Sequence, residues 1–538
     1  MKDFKEMRKY IHYDTKNFWL SMIFFAMNSI VNTISPVVVA EVVTYLSNSD
    51  IAGVVRNIIY TTILVTLALA SMYLLNHYNV IYLENVALKI KEELSIKIMN
   101  QDYDAFMKKD NSDYLSMLVN DTRMIVERYC DNIFNYISSI ISLVGAIIAI
   151  MYYNIPIAII SIIFAVYSVW FARLFDEKTS QKGMLLSEAE ELQTKTVKEV
   201  IDGYIIFKVY DSIALALSKL SRSYKERERK NAESVDYNLR VAFYLSINAS
   251  FGKHILWILA VVLVILGYSE IGLVIVIPTY ARDVMYGVRL IMDYRNVMVS
   301  TSSVREKIDD FLTMNEDKHE LPVVKENIVL QNISYSYNEN NKVIDAYSHE
   351  FSLQGKYALV GESGCGKSTL MKLMLGFIKP NSGQILLDGY DLNEHDIQGW
   401  FKQLSYINQE TYVFSDTIKN NIILDKEYDE TLFKQVLHDS ELFEWIDTLS
   451  EGVETILSEN GKNVSGGQKQ RIGIARALYH NKKILFIDEA SSALNEEMAY
   501  NIEKRLLNDE AKTIFMITHH LNTELKEYFD EIIHLEKI

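Results

Sequence analysis

The chain has 538 residues, 49% of them hydrophobic, and a formal net charge of −16. That acidity argues against non-specific nucleic-acid binding, so no nucleic-acid partner is expected. Two cysteines, Cys130 and Cys365, exclude a disulfide framework.

The first apolar run is too long for a signal-peptide core, so no cleaved leader is expected. Phe18 to Ala40 carries no charge over about 23 residues, enough to cross a bilayer as a helix. Asn57 to Leu83 reads as a second span. Asn132 to Ala172 is uncharged for about 41 residues; one helix of that length would measure roughly 60 Å, twice the hydrocarbon thickness. Two spans are therefore predicted there, with Tyr152 to Pro156 as the turn. Val241 to Tyr268 and Ile271 to about Tyr294 bring the total to six, the last two interrupted by charges.

Lys and Arg crowd the N-terminus and the two long loops, Glu84 to Asp131 and Arg173 to Arg240, whereas the other side shows Arg56 and little else. The N-terminus and both long loops are therefore expected in the cytoplasm. Both loops have helical periodicity with alternating charge and read as membrane helices that run into the cytoplasm and return. Each has a helix-breaking middle, Asn111 to Tyr114 in one and Asp202-Gly203 in the other. Lys253, Arg282, Asp283, Arg289 and Asp293 fall within the last two spans. Either they line a polar translocation cavity, or they pair (Lys253 with Asp283, for instance) or lie in cytoplasmic extensions of the helices.

Residues 1–314 are thus expected to form a polytopic α-helical membrane domain. A polar linker follows at 315–325, and 326–538 reads as an α/β domain in which short β-prone runs mix with helices. Ile328 to Leu330, Ile333 to Tyr337 and Gln384 to Leu387 are strand-like.

Lys356 to Val360 reads as a buried strand, and Leu370 to Leu375 as a helix. Between them lie Gly361, Glu362, Ser363, Gly364, Cys365, Gly366, Lys367, Ser368 and Thr369, the spacing of a phosphate-binding P-loop. Its glycines let backbone N–H groups turn inward, and the helix start adds positive potential. Lys367 offers a charge to the β- and γ-phosphates, and Ser368 a hydroxyl to Mg²⁺. Cys365, inside this loop, implies a reducing, cytosolic setting.

Further on, Ser465 is placed to cap a helix that begins with Gly466, Gly467 and Gln468, a second helix start open to an anion. The apolar run Ile484 to Ile487 then ends in Asp488 and Glu489. Asp488 is suited to holding Mg²⁺ through water, and Glu489, expected on the opposite side of the pleat, to acting as general base for water.

The run Ser465 to Arg471, lying between a P-loop and an Asp-Glu strand, resembles the signature sequence of ATP-binding-cassette proteins, with Val464 where that family most often has leucine. The resemblance extends over nearly the whole chain, which looks like a half-transporter of the exporter-type fold. It implies that Tyr337 stacks on adenine, that Gln409 reaches Mg²⁺ and relays to the membrane domain, and that His519 contacts the γ-phosphate. Asn408 replaces the usual proline, Glu459 resembles an exporter-specific loop, and Asn495 stands where the family has aspartate. The breaks in the two arms would be coupling helices near Ser112–Leu118 and Val200–Lys208.

The resemblance further implies an ATPase coupled to transport. ATP and Mg²⁺ would be its cofactors, and the Ser465–Gln468 segment would complete the P-loop site of another subunit. The partner is expected to be a second half-transporter, with a heterodimer favoured over a homodimer by Asn495. The expected substrate is an exported peptide, lipid or amphipathic drug-like molecule. An importer of metal chelates, or a membrane ATPase that regulates a partner, stands as the alternative. The expected location is a bacterial plasma membrane, with the nucleotide-binding domain in the cytoplasm.

Overall fold

Long uncharged runs leave the first half one solution in lipid, the helix, because every backbone group must find its partner within the segment. The computed structural model describes residues 9–10, 12–313, 319–337, 342–489, 493–518 and 522–537. Packing divides the chain into two units, Met1–Lys97 with Asn111–Met314, and Ile98–Asp110 with Asn315–Ile538.

The first unit is helical. Its elements are α1 (Thr15–Ser47), α2 (Ile51–Met99), then, after the short α3 (Tyr103–Met107) that belongs to the second unit, α4 (Asn111–Tyr153), α5 (Ile155–Arg173), α6 (Asp176–Asp202), α7 (Tyr204–Val209), α8 (Ile213–Ile265), α9 (Gly272–Ser300) and α10 (Ser302–Thr313). Among the described residues, α1, α2, α4, α5 and α8 are long and apolar enough to cross a bilayer. The predicted sixth span is α9, where Arg282, Asp283, Arg289 and Asp293 interrupt the apolar run. The predicted turn between the third and fourth spans falls at Asn154, whose side chain accepts from the Ile157 N–H at 3.2 Å and caps α5.

The core of this unit gathers on α9. Val276, Ile277, Tyr280, Ala281 and Val284 are buried against Ala146 and Ile150 of α4, Ile157 of α5 and Leu256 and Ala260 of α8. Small residues let these helices approach: a Cβ on Gly252 of α8 would lie 3.2 Å from both Met285 and Phe164. α4 contains two π-helical turns, Met117–Asp121 and Ile125–Cys130. α10 is tied to the same stretch by Lys307 Nζ, 2.7 Å from Asp121, and by Arg305, whose guanidinium lies 4.0 Å from the centre of the Tyr129 ring.

Two sequence expectations are corrected here. Ser112–Leu118 is not a separate coupling segment; it lies within α4, and the break in that arm comes earlier, around α3. Docking decides the position: the Tyr103 ring stacks on Phe377 at 4.2 Å, and Lys379 reaches Asp102 at 3.4 Å. In the other arm the break at Gly203 is where the sequence puts it, and α7 follows. Tyr204, Ile205, Ile206 and Val209 of α7 are all exposed. Nor does Lys253 pair with Asp283: Arg282 pairs with Asp283 at 3.0 Å, and Arg289 with Asp293 at 3.4 Å.

The second unit is α/β. A parallel sheet runs β11 (Glu531–His534), β4 (Lys356–Val360), β10 (Thr513–Ile517), β9 (Ile484–Asp488), β8 (Leu404–Ile407). An antiparallel sheet runs β3 (Lys342–Ser352), β2 (Asn327–Ser336), β5 (Ser382–Leu387), β6 (Tyr390–Asp391), and β1 (His319–Glu320) pairs with β7 (His395–Asp396). The two strand-like runs predicted at 328–330 and 333–337 form one strand, β2, with a register shift between Leu330 and Ile333 where Asn332 takes φ +48°. The helices are α11 (Lys367–Met374), α12 (Ile397–Phe401), α13 (Ile418–Ile423), α14 (Glu430–Asp439), α15 (Phe443–Asp447), α16 (Gly466–His480) and α17 (Glu496–Leu507). α11 packs between the sheets in the main core, and α13, α14, α15 and α16 share a separate core around Phe433, Leu442 and Tyr479.

Candidate active site

Register brings the motifs to one edge. Leu359 of β4 pairs with Ile517 of β10, Ile517 with Asp488 of β9, and Ile487 with Ile407 of β8. The P-loop, the Asp-Glu pair and Gln409 therefore all leave the carboxyl ends of neighbouring parallel strands, where open α/β sheets bind ligands. His519 follows the same edge in sequence but lies outside the described residues.

The P-loop is held open by glycine. Gly361, Gly364 and Gly366 have φ of 155°, 82° and 103°. A Cβ on Gly361 would lie 2.4 Å from the Leu535 carbonyl oxygen, so both conformation and space require glycine there. Gly366 caps α11 with no side-chain hydrogen bond, leaving the first-turn N–H groups of Lys367, Ser368 and Thr369 directed at the loop. Lys367 is buried, and its Nζ donates to the carbonyls of Gly361 at 2.8 Å and Glu362 at 2.9 Å. Ser363 and Gly364 are exposed at the loop's tip, and Cys365 is buried beneath it. Tyr337 is half exposed, with its hydroxyl 3.2 Å from Thr369 Oγ1 and its ring edge-on to Tyr335.

Asp488 ends β9, almost fully buried. Glu489 lies beyond the strand and not on its pleat: its φ is +49°, and its N–H donates to the Ile517 carbonyl. This turn brings the carboxylate to Gln409, whose Nε2 donates to Glu489 Oε2 at 2.9 Å.

Ser465 caps α16 reciprocally. Its hydroxyl accepts from Gln468 N–H at 3.2 Å while its own N–H donates to Gln468 Oε1 at 2.7 Å. Gly467 passes close to the next loop, since a Cβ there would lie 3.0 Å from the Ala493 carbonyl. Asn495 caps α17 by accepting from Met498 N–H at 2.8 Å. Glu459 lies in the turn before α16 and pairs with Lys462 at 3.4 Å.

Two residues were missed by the motif reading. Gln470, buried in α16, donates to the Gln409 carbonyl at 3.4 Å and accepts from Ala493 N–H at 3.0 Å, joining Gln409 to Ala493 ahead of α17. It sat inside the signature motif; the missing signal was that a glutamine on a buried helix face must bond elsewhere. Tyr406, on β8, packs edge-on against Phe377 at 5.6 Å, the ring that carries Tyr103. Burial raises the Tyr406 phenol well above its usual pKa, and the nearby Asp488 carboxylate and Tyr103 add to the shift. An aromatic path thus runs from α3 to the strand that leads to Gln409.

A helical membrane unit joined to a P-loop domain with a capped second helix start is the class that this fold and site define. The chain belongs to the ABC transporter family: residues 18–287 match the ABC transporter transmembrane region, and residues 344–492 match the ABC transporter domain. It is a multi-pass membrane protein that carries the family's ATP-binding ATPase domain. It is 37% identical over 211 residues to the ATP-dependent lipid A-core flippase of Haemophilus ducreyi, covering 38% of this chain and 36% of that protein. Against the protein of the same name from Saccharophagus degradans it is 32% identical over 269 residues, covering 48% and 46%. The matched stretches thus span less than half the length of these curated relatives. The fold is that of a solved bacterial Atm1-family ABC exporter with ATP bound, with TM-score 0.82 and 17% identity over 97% of this chain and 94% of that one.

Proposed function

We propose that the chain is one half of an ATP-driven exporter that moves a lipid or another amphipathic molecule across a bacterial plasma membrane. The observation that carries the reading is the Gln409–Glu489 contact on the same strand edge as the P-loop. ATP would lie along the P-loop, its adenine against Tyr337 and its phosphates on the N–H groups of residues 361–369 and the Lys367 ammonium. Glu489 would take the proton of the attacking water, and His519 would sit on the γ-phosphate.

Oxygen donors suit Mg²⁺, and Ser368, Gln409 and Asp488 supply them. When bound, the ion would neutralise charge on the phosphates. Ser465, Gly466, Gly467 and Gln468 would face the γ-phosphate bound by a partner chain, so the working unit is a dimer. The partner we favour is a distinct half-transporter that carries the aspartate this chain lacks at Asn495.

Flippase names among the relatives favour a lipid substrate. The test is reconstitution of the chain, with and without its partner half, in proteoliposomes. Mg²⁺-dependent ATPase activity with outward movement of a labelled lipid is the expected result. Inward movement would select the importer, and ATPase activity without flux of lipid, peptide or drug would select the regulatory reading. A stable, hydrolysing homodimer would remove the heterodimer.

A further inference from the structure

Two adjoining spaces in the membrane unit share one residue. The first, about 350 Å³, lies among α5, α6, α8 and α9, and its charged lining is Arg173, Asp176, Arg289 and Asp293. The second, about 650 Å³, is a groove between α5 and α8 lined by rings and aliphatic side chains, among them Phe164, Tyr167, Tyr244 and Phe251. Both volumes fall in the range of small-molecule sites, roughly 300–1,000 Å³. Asn248 lines both spaces, and its Nδ2 donates to Ser168 Oγ at 3.0 Å. Phe175 of the charged chamber stacks on Tyr244 of the groove at 6.1 Å.

The charges say what fits. Two guanidinium groups and two carboxylates sum to zero. Arg289 and Asp293 are paired at 3.4 Å, whereas Arg173 and Asp176 have no ion-pair partner among the described residues. An anionic head would satisfy Arg173 and be repelled by the carboxylates; a cationic head would do the reverse. A head with both charges meets both, a phosphate on the Arg173 fork and an ammonium at Asp176. The groove then takes the apolar tail.

We propose that this pair of spaces is a binding site for a zwitterionic amphiphile, a compact phosphate–ammonium head with an apolar tail. As a statement about cargo it rests on the transport reading, and the binding itself is measurable without transport.

The experiment uses the full chain in nanodiscs of anionic lipid, with its partner half where one is needed for assembly. Phosphatidylethanolamine carrying a photoreactive group on its tail is compared with phosphatidylglycerol carrying the same tail. Saturable labelling on α5 and α8, favouring phosphatidylethanolamine by about fivefold or more, is expected. Arg173→Gln and Asp176→Asn should remove the preference, and Arg173→Lys should keep part of it. Both positions are exposed, so the fold should survive, and the thermal midpoint of each variant reports on that. Equal labelling by the two lipids, or a preference unchanged in both variants, would overturn the site. Free phosphoethanolamine competing as well as the lipid would overturn the role of the tail. Selective labelling without flux would leave the site standing and remove the transport reading.

Discussion

Gln409 Nε2 donates to Glu489 Oε2 across 2.9 Å, joining the segments that follow two neighbouring strands of the parallel sheet. The bond holds the carboxylate at the strand edge. Glu489→Gln removes the base while keeping the shape, so turnover should fall by about 10²–10⁴ with ATP binding retained. Single-turnover hydrolysis beside nucleotide-binding titration checks this; hydrolysis at the parent rate would end the assignment.

The stack of Tyr103 on Phe377 holds α3 against the rest of the second unit. Removing the ring in Tyr103→Ala should cost about 0.5–1.5 kcal/mol beyond the lost burial. The site residues are untouched, so basal ATPase activity should persist while stimulation by transported substrate weakens. The ratio of stimulated to basal activity reads this out, and Tyr103→Phe should restore it.

Asp388 takes φ +49° and accepts from the N–H groups of Lys325 at 2.6 Å, Glu326 at 3.0 Å and Asn327 at 2.9 Å. Burial alone would raise its pKa; the bonds from Asn327, Lys325 and Glu326 outweigh it and hold the carboxyl below its ordinary value. A depressed folded pKa stabilises above the unfolded value, about 3.9, and that contribution is lost as pH falls through the folded value. Asp388→Asn, which tolerates the same backbone conformation, should therefore cost about 1–3 kcal/mol at neutral pH. Its deficit in thermal midpoint should shrink as pH is lowered past about 4.

Asn495 performs as a cap what an aspartate would. Asn495→Asp should leave stability within about 0.5 kcal/mol of the parent, and Asn495→Ala should cost about 0.5–2 kcal/mol. Thermal unfolding of the three proteins decides, and a change in cooperativity with respect to ATP in Asn495→Asp would assign the position a second role.

Contiguous motifs were legible from sequence. The strand at Lys356–Val360, the loop after it and the Ser465 cap each depend on neighbours within a few residues, so local pattern sufficed. The break at Asn154 was legible for the same reason, since asparagine is a favoured N-cap and Pro156 suits the first turn of a helix. What the sequence hid depends on distant partners. The left-handed turn at Glu489 is held by the Ile517 carbonyl, and α3 falls where it does because Phe377 lies beneath Tyr103. The charges of α9 pair within their own helix, Arg289 with Asp293 at the i,i+4 spacing that a helix favours and Arg282 with its neighbour Asp283, so the partner Lys253 that the sequence offered as one alternative is not used.

The short helix after Gly203 has a consequence for the life of the chain in a cell. Tyr204 is 60%, Ile205 72%, Ile206 62% and Val209 72% exposed, all within one turn and a half of helix. A cluster of exposed apolar side chains marks a surface that another surface covers. While uncovered, it is a surface to which other apolar surfaces adhere. A covering surface would therefore protect the chain from aggregation.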